Sequence, residues 1–266
     1  MTYKYIFDCN KNGWVINTKK SIKNNGFVIL RNFLPIKFVK SLHIKTLDLY
    51  RKNKISNKLR DIHQFKDGTL SSIHNIFDYL PFYKNVLKLE NVKKVSASIF
   101  DNNYQLKLNS SYFAKPPKVG LATKPHQDNA FFCMKPAEVL TFWFPTEFSA
   151  KHNGPLYYYP ETNKKNYLHR PLGNLGTSMT INKNALDKIK KNKKAVYVEA
   201  NIGDCVIHDA LVVHGSDQNI SKDSRNAFNF SLFSDLSVQN KILYKNYKNN
   251  LKKYLDNKKK NIYFLM

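Results

Sequence analysis

Apolar positions along this chain follow a helical rhythm over most of the first hundred residues and a strand-like one after that. Ser21 to Asn25 runs into Gly26, and Phe27-Val28-Ile29-Leu30 then forms a short, partly β-branched apolar run of the kind a buried strand carries. Pro35 opens a segment reaching about Lys52, in which Phe38, Val39, Leu42, Ile44, Leu47, Leu49 and Tyr50 suit an amphipathic helix with proline in its first turn. A second helical stretch is predicted from about Val86 to Phe100. After Asn102-Asn103 the pattern changes to strands, first Tyr104 to Phe113, where Leu106 and Leu108 alternate with Gln105, Lys107 and Asn109. Further strands are predicted at Val139 to Phe144, Leu156 to Tyr159, Ala195 to Glu199, Cys205 to Ile207 and Ala227 to Phe233. Between Pro160 and Lys194, Gly173, Gly176 and many Asn predict a long loop holding one short helix, and a loop of that length in a compact fold points to a lid or binding role. In the tail from Lys241 to Lys260, Ile242, Leu243, Tyr247, Leu251, Tyr254 and Leu255 recur at helical spacing among lysines, so one stripe should pack down while the lysines face water.

Helices first and antiparallel strands afterwards, with no internal repeat, suit a mainly β fold with flanking helices: a double-stranded β-helix, or cupin-like jelly roll. The expected organisation is a single domain over 1–266, with a helix-rich part to about 103, a jelly-roll core over about 104–236 and a basic helix over about 237–266. Apolar residues at 42%, with 18 Phe and 16 Tyr, supply a packed interior and exclude a disordered chain. Cys9, Cys133 and Cys205 are an odd number without CxxC spacing, so neither a disulfide framework nor a zinc ribbon is predicted and a reducing compartment fits. The beginning MTYKYIFDCNKNGW lacks a basic segment followed by an apolar run, and no stretch of about 18 apolar residues is present. The expectation is a cytoplasmic protein with no membrane span. The net charge of +25 is spread through a background rich in Asn and Ile, although Lys183 to Lys194 and the tail are denser in it. Nucleic-acid proteins concentrate their charge on one element, so no nucleic-acid partner is expected.

The candidate chemistry lies in the β part. His126-Gln127-Asp128 sets an imidazole and a carboxylate two residues apart, so in extended backbone both point to one face and can grip one ion. Alone this triplet is a weak signal. It gains weight from His214, within Val212-Val213-His214-Gly215-Ser216, which precedes Arg225 by eleven positions. Two His and one carboxylate make the facial triad of non-haem iron(II) oxygenases, which leaves positions open for a 2-oxo acid and dioxygen. The distal carboxylate of 2-oxoglutarate then needs a cation, and arginine offers a fixed bidentate fork.

These residues resemble the phytanoyl-CoA dioxygenase family of iron(II)/2-oxoglutarate oxygenases. The resemblance covers Gly26-Phe27-Val28-Ile29-Leu30 with Phe33-Leu34, Lys115-Pro116-Pro117, His126-Gln127-Asp128, Asn153-Gly154-Pro155-Leu156 and Gly203-Asp204. It is strongest over His214-Gly215-Ser216-Asp217-Gln218-Asn219 with Arg225. It implies iron(II) held by His126, Asp128 and His214, and 2-oxoglutarate paired with Arg225 and assisted by Ser216. Trp143 would stand beside the co-substrate, and Lys115 is a further candidate contact or else a turn residue beside two prolines. Oxidative decarboxylation of 2-oxoglutarate to succinate and carbon dioxide, using O2, would accompany hydroxylation of a small-molecule substrate; the carboxylate of Asp128 favours hydroxylation over halogenation. Where relatives continue from Asn153-Gly154 into a Pro-Gly-Ser-His stretch, this chain has Pro160-Glu161-Thr162-Asn163, so lid contacts do not carry over.

Other residues have plainer readings. His208 suits the core or a supporting contact to the metal site, His152 and His169 solvent or a substrate contact, Cys133 and Cys205 the core, and Asp204 a turn. Lys164, Lys165, His169 and Arg170, with Tyr157, Tyr158 and Tyr159 before them, would make a cationic lid suited to a small anionic or zwitterionic substrate, or else simply solvate a loop. Two readings from other classes stand beside the oxygenase: a basic nucleic-acid-binding module, and a β-barrel that binds 2-oxoglutarate without consuming it.

Overall fold

The computed structural model describes residues 5–56, 61–101, 104–174 and 177–263. In chain order the elements are β1 (Ile6–Asp8), α1 (Trp14–Asn25), β2 (Phe27–Arg31), α2 (Ile36–Ser56), β3 (Ile62–Gln64), β4 (Leu70–His74), α3 (Ile76–Tyr79), a 3-10 helix (Pro81–Lys88), α4 (Glu90–Phe100) and β5 (Tyr104–Phe113). They continue with β6 (Thr123–His126), α5 (Asn129–Phe132), β7 (Met134–Lys135), β8 (Val139–Pro145), β9 (Leu156–Tyr159), β10 (His169–Asn174), β11 (Thr177–Ile181) and α6 (Lys183–Asn192). Then come β12 (Val196–Tyr197), β13 (Cys205–Asp209), β14 (Val213–Ser216), β15 (Ala227–Ser234), β16 (Val238–Gln239) and α7 (Lys241–Tyr263).

Eight strands make one sheet in the order β1-β2-β13-β8-β15-β5-β4-β3, and β12-β9-β14-β6 make a second. The β1–β2 pair is parallel and the remaining pairs are antiparallel. The fold is the expected jelly roll with flanking helices. Side-chain alternation explains the layers. From the large sheet, Val28, Leu30, Leu140, Phe142, Phe144, Cys205, Ile207, Phe228, Phe230 and Leu232 pack on one face against Trp14 and Ile22 of α1, Val39 and Leu42 of α2 and Val92 and Val95 of α4. The intervening residues Phe27, Ile29, Trp143, Val206 and Ala227 meet Leu156 and Tyr158 of the small sheet. Strand β8 is buried along its whole length because it is covered on both faces.

Phe142 is fully buried, stacked on Phe230 with ring centres 4.8 Å apart and tilted against Phe33 at 6.3 Å. Phe142→Ala should therefore cost about 3–5 kcal/mol in a urea unfolding titration. A loss below about 1 kcal/mol would mean that the layer between sheet and helices collapses to fill the void.

Gly26 closes α1 with φ 84°, and a Cβ there would lie 2.7 Å from the Val212 side chain. The end of the first helix is thereby pressed onto the chain just before β14.

Three expectations need correction. The helix predicted from Val86 is broken at Leu89, whose extended backbone separates the 3-10 helix from α4. The predicted loop over 160–194 contains the β10–β11 pair as well as α6, because β10 and β11 are short and their sequences, with Pro171 and Gly173 in β10, carry no strand-like apolar run. In α7, Tyr247, Leu251 and Tyr254 are half-buried as expected, yet Ile242 is 72% exposed, so the packed stripe is narrower than the apolar spacing suggested. Among the described residues, no helix is long and apolar enough to cross a membrane.

Candidate metal and co-substrate site

His126 ends β6 and stands opposite His214 of β14 as its register partner. Asp128 follows at the start of α5 with helical backbone angles (φ −59°, ψ −33°), so the two ligands of the motif do not share an extended strand as the sequence reasoning had it. A turn brings them together instead, and Gln127 holds that turn. Its buried amide donates to the carbonyl oxygens of Lys165, at 2.7 Å, and Leu211, and accepts from the Tyr167 N–H at 2.8 Å. The Gln127 N–H donates to Nε2 of His169 at 3.0 Å, while His169 Nδ1 donates to the Tyr167 carbonyl at 2.8 Å. Burial pushes the His169 imidazole down to about 4, which keeps it neutral and able to accept.

The donor atoms of His126, Asp128 and His214 lie within 4.8 Å of one another. His126 Nε2 and His214 Nε2 are each 3.5 Å from Asp128 Oδ1. Nδ1 of His126 faces the Lys124 carbonyl at 2.8 Å and Nδ1 of His214 faces that of Val212 at 3.1 Å. A carbonyl only accepts, so each ring carries its proton on Nδ1 and turns the Nε2 lone pair toward the shared point. Asp128 Oδ2 accepts from Thr141 Oγ1 at 2.9 Å and His208 Nε2 at 3.1 Å, which leaves Oδ1 for an ion. His208 is set in turn by the Tyr158 hydroxyl, 2.9 Å from its Nδ1. Burial alone would raise the Asp128 carboxyl, but the surrounding imidazoles of His214, His126 and His208 outweigh it and hold it well below the usual carboxylate range. Burial, reinforced by His126, pushes His214 well down, so it presents a neutral ring. Two imidazole Nε2 atoms and one ionised oxygen on one side of a point fit a divalent iron with its other positions open.

These groups open into a cavity of about 600 Å3, which Lys115, Trp143, Ser216 and Arg225 also line. All seven residues singled out from sequence thus meet in one space. Arg225 is fully buried; its Nε and Nη2 donate to the Gly154 carbonyl at 3.0 and 2.6 Å, and its guanidinium carbon lies 5.6 Å from the centre of the Trp143 ring. Burial lowers it to about 10, so it stays a cation at neutral pH. Lys115 donates from Nζ to the Asp217 carbonyl, and burial followed by the Arg225 charge pushes it well below the ordinary lysine range. Lys115 and Arg225 also exchange both backbone hydrogen bonds, at 3.2 and 3.0 Å, so one pairing sets both cations.

Several supporting residues escaped the sequence reasoning. Asn219, named in the sequence only as part of a motif and without a role, ties the carbonyls of Lys115, Pro116 and Asp223 together and fixes the turn that brings Lys115 to the cavity. Thr141, Asn229 and Ser231 are polar interruptions in otherwise apolar strand runs, and that was a readable signal. His208 takes the supporting place weighed for it. Asp204 does more than turn the chain: it pairs with Arg31 at 2.5 Å and accepts from the Asn201 and Asn32 N–H groups. His152 lies apart, exposed and 3.5 Å from Asp223. Cys133 and Cys205 are buried.

The structure is similar to that of EctD from S. alaskensis, solved with 2-oxoglutarate and 5-hydroxyectoine (TM-score 0.70, 16% identity, covering 87% of this chain and 80% of that one). It is also similar to the non-heme alpha ketoglutarate dependent carbocyclase SnoK from nogalamycin biosynthesis (TM-score 0.67, 15% identity, covering 84% and 85%). At such identities the likeness shows the fold alone. In sequence, the chain is 33% identical over 129 residues to phytanoyl-CoA dioxygenase domain-containing protein 1 of Rattus norvegicus, which is 46% of this chain and 43% of that protein. It is 22% identical over 245 residues to the peroxisomal phytanoyl-CoA dioxygenase of Homo sapiens, covering 85% of this chain and 69% of that one. The match to the rat protein therefore spans less than half of that relative's length. The family model for phytanoyl-CoA dioxygenase matches residues 22–227, a span that holds every residue of the site just described, and the chain belongs to that family.

Proposed function

We propose that this chain is a single-domain iron(II)- and 2-oxoglutarate-dependent oxygenase that hydroxylates a C–H bond of a small molecule. The observation that carries the reading is the convergence of two Nε2 lone pairs and one free carboxylate oxygen on a cavity that also holds a buried arginine. Bound iron(II) would bring 2-oxoglutarate and dioxygen together for oxidative decarboxylation to succinate and carbon dioxide, with one oxygen atom passing to the substrate. His126, Asp128 and His214 would hold the metal. Arg225 would take the distal carboxylate of 2-oxoglutarate, with Ser216 and Lys115 donating to it and Trp143 forming the wall beside it.

His208 and Thr141 keep Asp128 from turning its second oxygen to the ion. Removal of an outer partner of a metal ligand costs about 10- to 100-fold in metal affinity. His208→Leu should lose that much in an anaerobic iron(II) titration, and His208→Gln, which retains a donor, should lose less. Equal iron affinity in wild type and His208→Leu would remove His208 from the metal site's support.

The expectation of an anionic or zwitterionic substrate rested on a cationic lid, and the residues described below give that lid no support. Among the described residues, none from 160–194 lines the cavity. Lys164 is bonded to the Lys23 carbonyl, and His169 is engaged with Gln127.

The deciding experiment incubates the protein with iron(II), 2-oxoglutarate and ascorbate and reads succinate, then screens small metabolites for a gain of one oxygen atom. Binding of 2-oxoglutarate with no succinate under any condition would favour a non-catalytic binder.

A further inference from the structure

The register of the large sheet places two rows of side chains, free of carboxylates, lysines and arginines, beside the candidate metal site. One row runs across four strands, from His208 to Thr141, Ser231 and Asn109. The next runs from Trp143 to Asn229, Ser111 and His74. All of these residues line the cavity. They occupy the inward positions of strands whose outward positions are Phe142, Phe230 and Tyr112. Thr141, Ser231 and Ser111 are buried, Asn229 and His74 half-buried, and Asn109 exposed at the outer end of its row. A jelly roll that needed only a core would place apolar residues at the buried positions, because a hydroxyl there costs free energy unless it is bonded.

The first row begins at Asp128, through Thr141, whose Oγ1 also lies 3.0 Å from Ser231 Oγ. The second ends at His74, held between Ser111 Oγ at 2.9 Å and Ser72 Oγ at 3.2 Å. Burial first, and then neighbouring His63, lowers the His74 imidazole, so at neutral pH it is an uncharged ring whose two nitrogens orient the hydroxyls of Ser111 and Ser72. Among the described lining residues, the only lysine and arginine are Lys115 and Arg225, committed to the co-substrate end, and the only carboxylate is Asp128. An ion placed along the two rows would therefore lack a described counter-charge, and burying an ion unpaired costs far more than burying a hydroxyl. Phe113 and Phe131 add apolar wall for the C–H surface of an uncharged molecule.

From this arrangement we infer that the substrate is a neutral, polyhydroxylated small molecule laid along the rows Thr141–Ser231–Asn109 and Asn229–Ser111–His74. The inference rests on the oxygenase reading and narrows it to one substrate class.

The test uses the full chain loaded anaerobically with iron(II) and 2-oxoglutarate, whose absorption band reports ligands arriving beside the metal. The probes are myo-inositol and methyl glucoside, each paired with its phosphorylated form, and methyl glucoside also with its amino analogue. A neutral member should shift the band and raise succinate formation above the level without substrate, and should bind at least about tenfold more tightly than its charged partners, the worth of one hydrogen bond made or left unmade. Asn229→Leu, which removes an amide from the second row, and His74→Phe, which removes the ring that orients the Ser111 hydroxyl, should each weaken that ligand by about tenfold in preparations that still develop the band. Preference for a charged partner, no response to any neutral member, or unchanged affinity in both variants would overturn the inference. Absence of both the band and any succinate in wild type would instead bring down the oxygenase reading itself.

Discussion

His214→Ala is expected to abolish stoichiometric iron binding, with affinity falling by more than about 100-fold, beyond the range typical of losing an outer partner. The ring supplies one of three protein donors, and its Nε2 is 3.5 Å from the only Asp128 oxygen not already bonded within the protein. Alanine leaves two donors of one turn, His126 and Asp128, and among the described residues no other group completes a set of three with them. The side chain is buried in the cavity wall, stacked near Tyr158 with ring centres 5.5 Å apart, so some loss of stability will accompany the change. Bound iron per folded chain, measured beside a thermal unfolding curve of the metal-free protein, separates the two effects. Full iron stoichiometry in this variant, or in His126→Ala, would end the assignment of the triad.

Arg225→Ala should keep iron but lose 2-oxoglutarate. A hydrogen bond to a charged group is worth about 1.5–3 kcal/mol, so the affinity should fall roughly 10- to 150-fold. Nε and Nη2 are spent on the Gly154 carbonyl, which fixes the guanidinium and leaves Nη1 as the end free to meet a carboxylate. Because Gly154 sits at φ 77° in the turn before β9, the alanine variant also removes a brace from that turn. Arg225→Lys keeps the charge while losing the fork, and it should recover part of the affinity if charge matters and little if geometry does. The measurement is a 2-oxoglutarate titration of iron-loaded protein under nitrogen. An unchanged dissociation constant in Arg225→Ala would pass the role to Lys115.

The candidate site was legible because its chemistry is rare: two imidazoles and a carboxylate near an arginine at suitable spacing have few other uses. Their convergence was only half legible. The antiparallel pairing of His126 with His214 could be anticipated from a jelly roll, whereas the helical backbone of Asp128 could not, since nothing in His-Gln-Asp says that the strand stops after its first residue. The long strands β5, β8 and β15 were found because burial on both faces, or strict alternation, leaves a mark over many residues. Strands β3 and β4 left none, because Ile62–Gln64 and Leu70–His74 are short and their inward side chains are polar. For the same reason the cavity wall carrying Ser72 and His74 was invisible in the sequence. A strand whose inner face serves a ligand looks, by composition, like a loop.

The bonds of Gln127 tie the metal site to the segment that the sequence had marked as a lid. The residue between two ligands is commonly treated as a spacer, free to vary. Here its amide is a truss joining the carbonyls at Lys165 and Leu211 and the N–H of Tyr167, with His169 gripping its backbone. The region after β9 therefore braces the turn that carries His126 and Asp128. Grafting a foreign segment over 160–170 would slacken the grip between those two side chains, whatever else it changed.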